Sequence, residues 1–177
     1  MINDQELLFI VDENNKPLKP EPRSFAHKKG LWHRTSGVWI TNKEKQILCQ
    51  KRSLQKDIRP GMWEAFFGGH LAPGEEYGHN AAAEVSEELG IGVNESMLIP
   101  YKVFGSDKLT HKEFQQVFGL MLDVKCGEFS FEKEEIDQLS WKPIEEIRNI
   151  LVVQRSSEWV LKPWDEEVLD WLASLQF

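Results

Sequence analysis

The chain has 177 residues, 41% hydrophobic and 28% charged, a balance typical of a globular domain rather than of a disordered chain. A formal net charge of −8 argues against a nucleic-acid partner, which would require a basic surface. Two cysteines, Cys49 and Cys126, exclude a disulfide framework and favour a cytoplasmic location. No segment approaches the roughly 20 apolar residues that span a bilayer, so no membrane partner is expected. We expect one domain over residues 1–177.

The predicted elements alternate between strands and helices along the chain. Apolar and β-branched runs predict strands, in order, at residues 7–11, 37–41, 46–50, 97–104, 114–124 and 136–141. Residues 62–71 mix aromatics with glycines and predict a strand that leads into a functional loop. Four polar residues separate the second run from the third, which indicates a hairpin. Helix-forming residues or helical periods predict helices at residues 80–89, 143–152 and 159–175. The combination predicts an α/β fold, with a mixed β-sheet covered by helices.

The helix predicted over residues 80–89 carries a cluster of carboxylates. Glu84, Glu87 and Glu88 are spaced three and four residues apart, so they share one helix face. Like charges at these spacings destabilise a helix by about 0.2–0.5 kcal/mol per pair. A divalent cation would reverse this effect, and carboxylate oxygens suit Mg²⁺ or Mn²⁺. The alternative interpretation is a solvated acidic face that binds nothing.

A glycine-rich loop precedes this helix and favours the metal-binding interpretation over that of a solvated acidic face. Residues 68–75 read Gly-Gly-His-Leu-Ala-Pro-Gly-Glu. Glycine allows the backbone to approach a ligand closely, and a loop that leads into a helix is a common place for anion contacts. Gly68 and Gly69 are therefore candidate substrate-binding residues.

The loop and the helix together resemble the Nudix box. That pattern is Gly, five residues, Glu, seven residues, Arg-Glu, an aliphatic residue, any residue, Glu-Glu, any residue, Gly and an aliphatic residue. Eight of the nine specified positions match, at Gly69, Glu75, Glu84, Val85, Glu87, Glu88, Gly90 and Ile91. The resemblance implies an α/β/α sandwich with a loop–helix–loop motif whose glutamates hold metal. Ala83 stands where the family has Arg, which would pair with a carboxylate and orient it.

A looser resemblance connects residues 7–141 with the isopentenyl-diphosphate isomerase branch of the superfamily. Arg52 and Lys56 match the Arg and Lys that bind diphosphate there, and Gly68 replaces that enzyme's catalytic Cys. The isomerase also has a separate metal site. Its second N-terminal His corresponds to His33, its two downstream Glu residues fall on His111 and Glu113, and His27 lies one residue out of the expected spacing for its first His. The site is thus only partly conserved in residue type, and the alternative is that each of these histidines is structural.

The expected function is Mg²⁺-dependent hydrolysis of a diphosphate linkage in a small molecule, for example a nucleoside diphosphate linked to another group. The expected catalytic and metal-binding residues are Glu84, Glu87 and Glu88, and the expected substrate-binding residues are Arg52, Lys56, Gly68 and Gly69. Glu84 is the first choice as general base, with Glu113, Glu134 and Glu135 as alternatives, and Glu75 is expected to brace the loop. An isomerase-like enzyme and a non-catalytic Nudix ligand-binding module are the alternative functions.

Six of the seven tryptophans allow two interpretations each. Trp32, Trp39 and Trp63 either stack on a base or an isoprenoid, or belong to the core. Trp159, Trp164 and Trp171 either pack the C-terminal helix against the core or form the face of a homodimer.

Overall fold

The computed structural model describes residues 6–56, 58–108 and 111–175. It contains a mixed β-sheet with helices on both faces. The strands are β1 (Leu7–Leu8), β2 (Glu21–Pro22), β3 (His33–Thr41), β4 (Gln46–Arg52), β5 (Trp63–Glu64), β6 (Ile99–Lys108), β7 (His111–Met121) and β8 (Ile136–Pro143). The α-helices are α1 (Arg23–Lys29), α2 (Tyr77–Leu89), α3 (Ile144–Arg148) and α4 (Asp165–Ser174). Two 3₁₀ turns lie at Glu95–Met97 and Cys126–Glu128, and a π-helix at Asn149–Gln154.

The main sheet has the strand order β5-β4-β3-β7-β6, and β8 pairs with β4. β3 and β7 are parallel and in register from the pair His33 and Glu113 to the pair Thr41 and Met121. The other pairings of the sheet are antiparallel, including the predicted β3–β4 hairpin. The parallel register places His33 beside Glu113 at the start of the two central strands.

Alternating side chains of β3 and β4 supply two separate cores, one on each face of the sheet. One core joins these strands to α2 and contains Val38, Ile40, Leu48, Ala81, Val85 and Leu89. The other joins them to the π-helix, α3 and α4 and contains Trp39, Ile47, Cys49, Ile147, Leu151, Val168, Leu169 and Leu172. The predicted α/β/α sandwich with a mixed sheet is therefore confirmed.

The helix that carries the glutamates begins at Tyr77, three residues before the predicted start, and ends at Leu89. Gly90 follows in the left-handed conformation with φ 63°, and a β-carbon there would collide with the carbonyl oxygen of Ser130. Glycine avoids both the steric cost of this conformation and the collision, which explains why the helix ends here.

Two other helix predictions and one strand prediction were wrong in extent. The helix predicted over residues 159–175 is restricted to α4, because Trp159 pairs through its backbone with Trp63 and Pro163 interrupts the segment. The helix predicted at residues 143–152 begins as α3 and continues as the π-helix. The strand predicted at residues 7–11 is regular only in β1, although isolated bridges involve Ile10 and Val11.

Residues 62–71 form a strand that leads into a loop, as predicted. β5 is the regular part, and isolated bridges at Phe67 and His70 attach the loop to β3.

One helix was not predicted at all. α1 follows β2 and ends at Gly30, which adopts the left-handed conformation. Its apolar residues Phe25 and Ala26 are adjacent, so the sequence shows no helical period there. Among the described helices, none combines the length and the apolarity needed to cross a membrane.

Candidate active site

A cavity of about 510 Å³ lies where the glycine-rich loop meets α2. All seven residues that the sequence predicted for metal or substrate line it, namely Arg52, Lys56, Gly68, Gly69, Glu84, Glu87 and Glu88. Sequence reasoning missed four other lining residues, which are Glu6, Arg23, His70 and Glu132. Glu135, predicted only as an alternative general base, also lines the cavity.

The loop and the helix approach each other closely because the loop residues are glycines. The backbone N–H of Gly68 donates a hydrogen bond of 3.3 Å to Oε2 of Glu88. The carboxylate of Glu84 occupies the space that a β-carbon on Gly69 would need. At Gly68, φ is 137° and a β-carbon would collide with the carbonyl oxygen of Ser36 on β3. The two glycines thus allow the loop to pass between the sheet and the glutamates.

A buried amide fixes the conformation of the same loop. Oδ1 of Asn80 accepts a hydrogen bond of 2.6 Å from the hydroxyl of Ser36. Its Nδ2 donates to the carbonyl oxygen of His70 at 3.1 Å and to Oε2 of Glu75 at 3.2 Å. Oε2 of Glu75 also accepts a 2.7 Å hydrogen bond from the backbone N–H of Ala72. Glu75 therefore braces the loop, as predicted.

Two carboxylates of α2, those of Glu84 and Glu88, have raised pKa values. Burial, followed by the neighbouring charge of Glu87 and two other carboxylates, raises the pKa of Glu84 to about 7. Burial and the neighbouring charge of Glu84 raise the pKa of Glu88 to about 8. Glu87 is exposed. The carboxylates of Glu84, Glu87 and Glu88 offer only oxygen atoms as ligands, and together they carry excess negative charge. Such a set of ligands fits a hard divalent cation such as Mg²⁺.

The cations around the cavity are each paired with a carboxylate. The guanidinium of Arg52 donates to Oε2 of Glu64 at 2.9 Å and to the carbonyl oxygen of Ile58 at 3.1 Å. Lys56 forms an ion pair with Glu135, and Arg23 on α1 forms one with Glu6 at 3.0 Å. These three ion pairs bring positive charge to the cavity without a net excess of it.

Histidines from four segments meet beside this cavity. Ring nitrogens of His27, His33 and His70 lie within 4.8 Å of one another, and the ring centroids of His27 and His111 are 5.0 Å apart. Nδ1 of His33 lies 2.9 Å from the carbonyl oxygen of Leu31, which favours the tautomer with its lone pair on Nε2. Burial lowers the pKa of His33, and lowers that of His70 well below its usual value. Neutral imidazoles that converge in this way fit a transition-metal ion.

His27, His33, His111 and Glu113, which the isomerase resemblance related to a metal site, thus lie close together in the structure. His70 joins them, and the sequence analysis did not identify it as a ligand. The only sequence feature that pointed to His70 was the pair Gly69-His70, which resembles the Gly-His pair of the isomerase. Glu113 lies in the adjoining cavity of about 120 Å³ but forms an ion pair with Lys162. Burial by itself raises the pKa of Glu113, but the charge and the hydrogen bond of Lys162 outweigh burial and lower it.

The tryptophans considered for substrate stacking are engaged elsewhere. Trp39 is 1% exposed and belongs to the core, Trp32 stacks on Phe114, and Trp63 stacks on Trp159. Among the described residues that line the 510 Å³ cavity, none is Trp, Tyr or Phe. At the C-terminus, Trp159 and Trp164 are buried in the core, and Trp171 stacks on Tyr101 with centroids 4.3 Å apart. The predicted homodimer face remains a prediction.

Comparison with known proteins agrees with this geometry. The family model for the NUDIX domain matches residues 31–172. Nudix hydrolase 3 of Arabidopsis thaliana is 31% identical over 140 residues, which are 74% of this chain but only 18% of the plant protein. An isopentenyl-diphosphate Delta-isomerase of Corynebacterium diphtheriae is 30% identical over 176 residues, 95% of this chain and 93% of the isomerase.

Among solved structures, a Deinococcus radiodurans protein has a similar fold, with a TM-score of 0.74 and 20% sequence identity. The match covers 94% of this chain and 99% of that protein. The family model covers most of the sequence, and the glycine-rich loop and the glutamates of α2 lie within the matched range. The chain therefore belongs to the Nudix family of hydrolases, enzymes that cleave pyrophosphate-type linkages.

Proposed function

We propose that this protein hydrolyses a diphosphate linkage in a small-molecule substrate, such as a nucleoside diphosphate linked to another group, with Mg²⁺ or alternatively Mn²⁺. One observation carries the proposal. Glu84, Glu87 and Glu88 line the same cavity as Arg52 and Lys56. Carboxylates that suit a hard metal ion thus lie across one cavity from cations that suit phosphate oxygens.

Glu84, Glu87 and Glu88 are the residues that would hold the metal. The raised pKa values of Glu84 and Glu88 support this role, because they reflect burial of the carboxylates and repulsion between them, both of which a bound cation would offset. Bound Mg²⁺ would neutralise phosphate charge and acidify a bound water molecule. The backbone of Gly68 keeps Glu88 in place through its 3.3 Å hydrogen bond.

Glu84 is the best candidate for the general base that removes a proton from the attacking water. Its carboxylate lines the cavity and lies against the backbone of Gly69, so it is placed to accept a proton from a water molecule in the cavity. The alternatives are less available. Glu113 is paired with Lys162, and Glu135 with Lys56. Glu134 is exposed and does not line the cavity.

Arg52 and Lys56 are proposed to bind the phosphates. Arg52 is held by Glu64 and by the carbonyl oxygen of Ile58, so its planar guanidinium needs little reorganisation when it binds phosphate oxygens. Lys56 adds a compact charge, and its partner Glu135 has a partly exposed side chain. Gly68 and Gly69 provide a backbone surface without side chains, which a phosphate can approach closely.

The character of the cavity also restricts the rest of the substrate. Its described lining consists of charged side chains, two glycines and His70. Such a surface offers hydrogen bonds to a sugar or a phosphorylated group, and little apolar area for an isoprenoid chain. A polar leaving group is therefore favoured over a prenyl group.

The test is a Mg²⁺-dependent phosphate-release screen over nucleoside triphosphates, nucleotide sugars, dinucleotides and prenyl diphosphates. For the best substrate, Glu84→Gln and Glu88→Gln are each expected to lower kcat by about 10²-fold or more, since each removes charge that the transition state requires. Glu76→Gln is the matched control, because Glu76 is exposed and does not line the cavity. Full activity in both site variants would contradict the assignment.

Isomerisation is the second candidate, and the Corynebacterium diphtheriae relative, which matches 95% of this chain, favours it. Against it, Gly68 occupies the position of the isomerase's catalytic Cys. Incubation with isopentenyl diphosphate separates the two activities, because an isomerase forms the allylic isomer whereas a hydrolase releases phosphate. Tight binding of a diphosphate without any turnover would instead favour a non-catalytic ligand-binding module.

A further inference from the structure

We call His27, His33 and His70, which lie beside the proposed active site, the histidine cluster. The atoms that they could offer to a metal ion are all imidazole nitrogens. Nε2 of His27 and Nε2 of His70 are 3.3 Å apart, and a nitrogen of His33 lies within 4.8 Å of both. Nitrogen ligands at the usual distance from Zn²⁺ in a tetrahedral site lie about 3.3 Å from each other. The three imidazoles can therefore converge on one ion.

Glu113 is the carboxylate best placed by the fold to join these imidazoles, yet its oxygens are engaged elsewhere. It pairs in register with His33 across β7 and β3. One carboxylate oxygen forms the ion pair with Lys162, and the other accepts a 3.4 Å hydrogen bond from Thr35 Oγ1. In the described part of the chain, the group of three donors within 4.8 Å of one another consists of histidines alone. Oε1 of Glu6 lies 3.6 Å from Nδ1 of His70, but Glu6 does not belong to that group and is paired with Arg23.

Lys162 is held beside Glu113 by its surroundings. Its side chain is only 8% exposed. Its Nζ lies 5.5 Å from the ring centroid of Phe66 and 5.4 Å from that of Trp164, within the range of cation–π attraction. Its backbone N–H donates a 2.8 Å hydrogen bond to Oδ2 of Asp165, at the start of α4. The ammonium group is thus a built-in part of the cluster rather than a mobile surface charge.

We propose that Lys162 determines the metal preference of this cluster by withholding Glu113, so that His27, His33 and His70 bind a nitrogen-preferring ion such as Zn²⁺ or Co²⁺ rather than Mg²⁺ or Mn²⁺. Mg²⁺ and Mn²⁺ favour carboxylate oxygens, whereas imidazole suits Zn²⁺ and its neighbours in the transition series. A nearby ammonium group opposes the binding of any divalent ion. Only an ion that bonds strongly to nitrogen offsets that repulsion.

The preference can be measured without any catalytic assay. The full chain with Glu84→Gln, Glu87→Gln and Glu88→Gln lacks the carboxylates of α2, so it reports on the histidines alone. Competition titrations with Zn²⁺, Co²⁺, Mn²⁺ and Mg²⁺ are expected to show Zn²⁺ and Co²⁺ bound at least about 100-fold more tightly than Mn²⁺. The visible absorption of bound Co²⁺ reports nitrogen coordination, and His70→Ala is expected to abolish it.

Two variants in this background then test the role of Lys162. Lys162→Met keeps an apolar side chain against Phe66 and Trp164 but releases Glu113, so Mn²⁺ affinity is expected to rise about 10- to 100-fold relative to Zn²⁺. Lys43→Met is the matched control, since Lys43 belongs to an exposed ion pair with Asp123, and it is expected to change nothing.

Lys162→Met/Glu113→Gln removes both charges of the ion pair, and it decides the matter even if Lys162→Met alone does not fold. Zn²⁺ affinity is expected to stay within about twofold, because neither residue is a ligand and the local net charge is unchanged. A tenfold loss of Zn²⁺ affinity in this double variant would overturn the proposal. Equal binding of Mn²⁺ and Zn²⁺ by the background protein, or an unchanged ratio in Lys162→Met, would overturn it as well.

Discussion

The carboxylate of Glu84 lies against the backbone of Gly69, in the space that a β-carbon on residue 69 would fill. The family's usual means of orienting this carboxylate, an Arg at position 83, is absent here because residue 83 is Ala. Close packing against a glycine restricts where the carboxylate can lie, and Asn80 holds the loop that carries the glycine. Backbone packing therefore substitutes, at least in part, for the missing side chain.

Gly69→Ala is expected to lower kcat of the proposed hydrolysis by about 10²-fold, because the added methyl group displaces Glu84, and misplacement of a catalytic group by about 1 Å has this effect. The measurement is steady-state kinetics with Mg²⁺. Gly92→Ala is the control, since a β-carbon at Gly92 meets no atom within 4 Å. If both variants keep normal kcat, Gly69 does not limit the position of Glu84.

In the metal-free protein, Glu84 and Glu88 are expected to contribute less to stability as the pH rises from about 5 to 9. The folded-state pKa values of Glu84 and Glu88 are raised from 4.5 to about 7 and about 8. The native state therefore binds protons more tightly than the unfolded chain. This contribution to stability is fully present below pH 4.5 and is lost as the pH rises through 7 and 8.

Urea unfolding in the presence of EDTA, at pH 5, 7 and 9, measures this effect. Glu84→Gln/Glu88→Gln is expected to have a shallower dependence on pH, and Mg²⁺ is expected to flatten that of the wild-type protein. Burial of Asp165, whose pKa is raised to about 7, gives a slope of the same sign, whereas burial of His33, His70 and His111, whose pKa values are lowered, gives a slope of the opposite sign up to about pH 6.5. Both contributions remain in the variant, so the difference between wild type and variant isolates the two glutamates. An identical pH dependence in wild type and variant would show that the two glutamates are not coupled to folding.

Local spacing predicted the central part of this site. On a helix, residues three and four apart share a face, so the positions of Glu84, Glu87 and Glu88 followed from the sequence alone. The alternation of apolar residues likewise predicted the hairpin of β3 and β4. Arg52 and Lys56 could be assigned only through resemblance to a family, because no local rule brings a strand end to a helix in another layer.

The parts that sequence reasoning missed depend on contacts between distant segments. Lys162 and Glu113 are 49 residues apart, and no periodicity connects them. Arg23 lies on α1, a helix without a visible apolar period. Trp159 and Val160 were assigned to a helix because their spacing fits one, but backbone pairing with Trp63 takes precedence. Tertiary pairing thus overrides a local pattern where the pattern is weak.

Gly68→Cys, which restores the isomerase's residue type, is expected to destabilise the protein rather than confer isomerase activity. The φ of 137° disfavours any side chain, at a cost of about 1–3 kcal/mol, and the β-carbon would also collide with the carbonyl oxygen of Ser36. The measurements are the free energy of unfolding and formation of the allylic isomer from isopentenyl diphosphate. A variant that folds with normal stability and isomerises this substrate would show that position 68 alone separates the two activities.

Arg52 is expected to contribute separately to stability and to substrate binding, because it forms a mostly buried ion pair with Glu64, with side chains 17% and 7% exposed. Arg52→Met leaves the Glu64 carboxylate without its partner, at a cost of about 3–5 kcal/mol in the free energy of unfolding. Arg52→Met/Glu64→Gln removes that unpaired charge and is expected to recover most of the loss.

The two effects are distinguished by measuring KM and unfolding on the same proteins. Substrate affinity should not recover in the double variant, since the guanidinium that binds phosphate is still absent. KM is therefore expected to remain raised by about tenfold or more, which is the scale of one charge-assisted hydrogen bond. Recovery of KM together with stability would mean that Arg52 only supports Glu64 and does not contact the substrate.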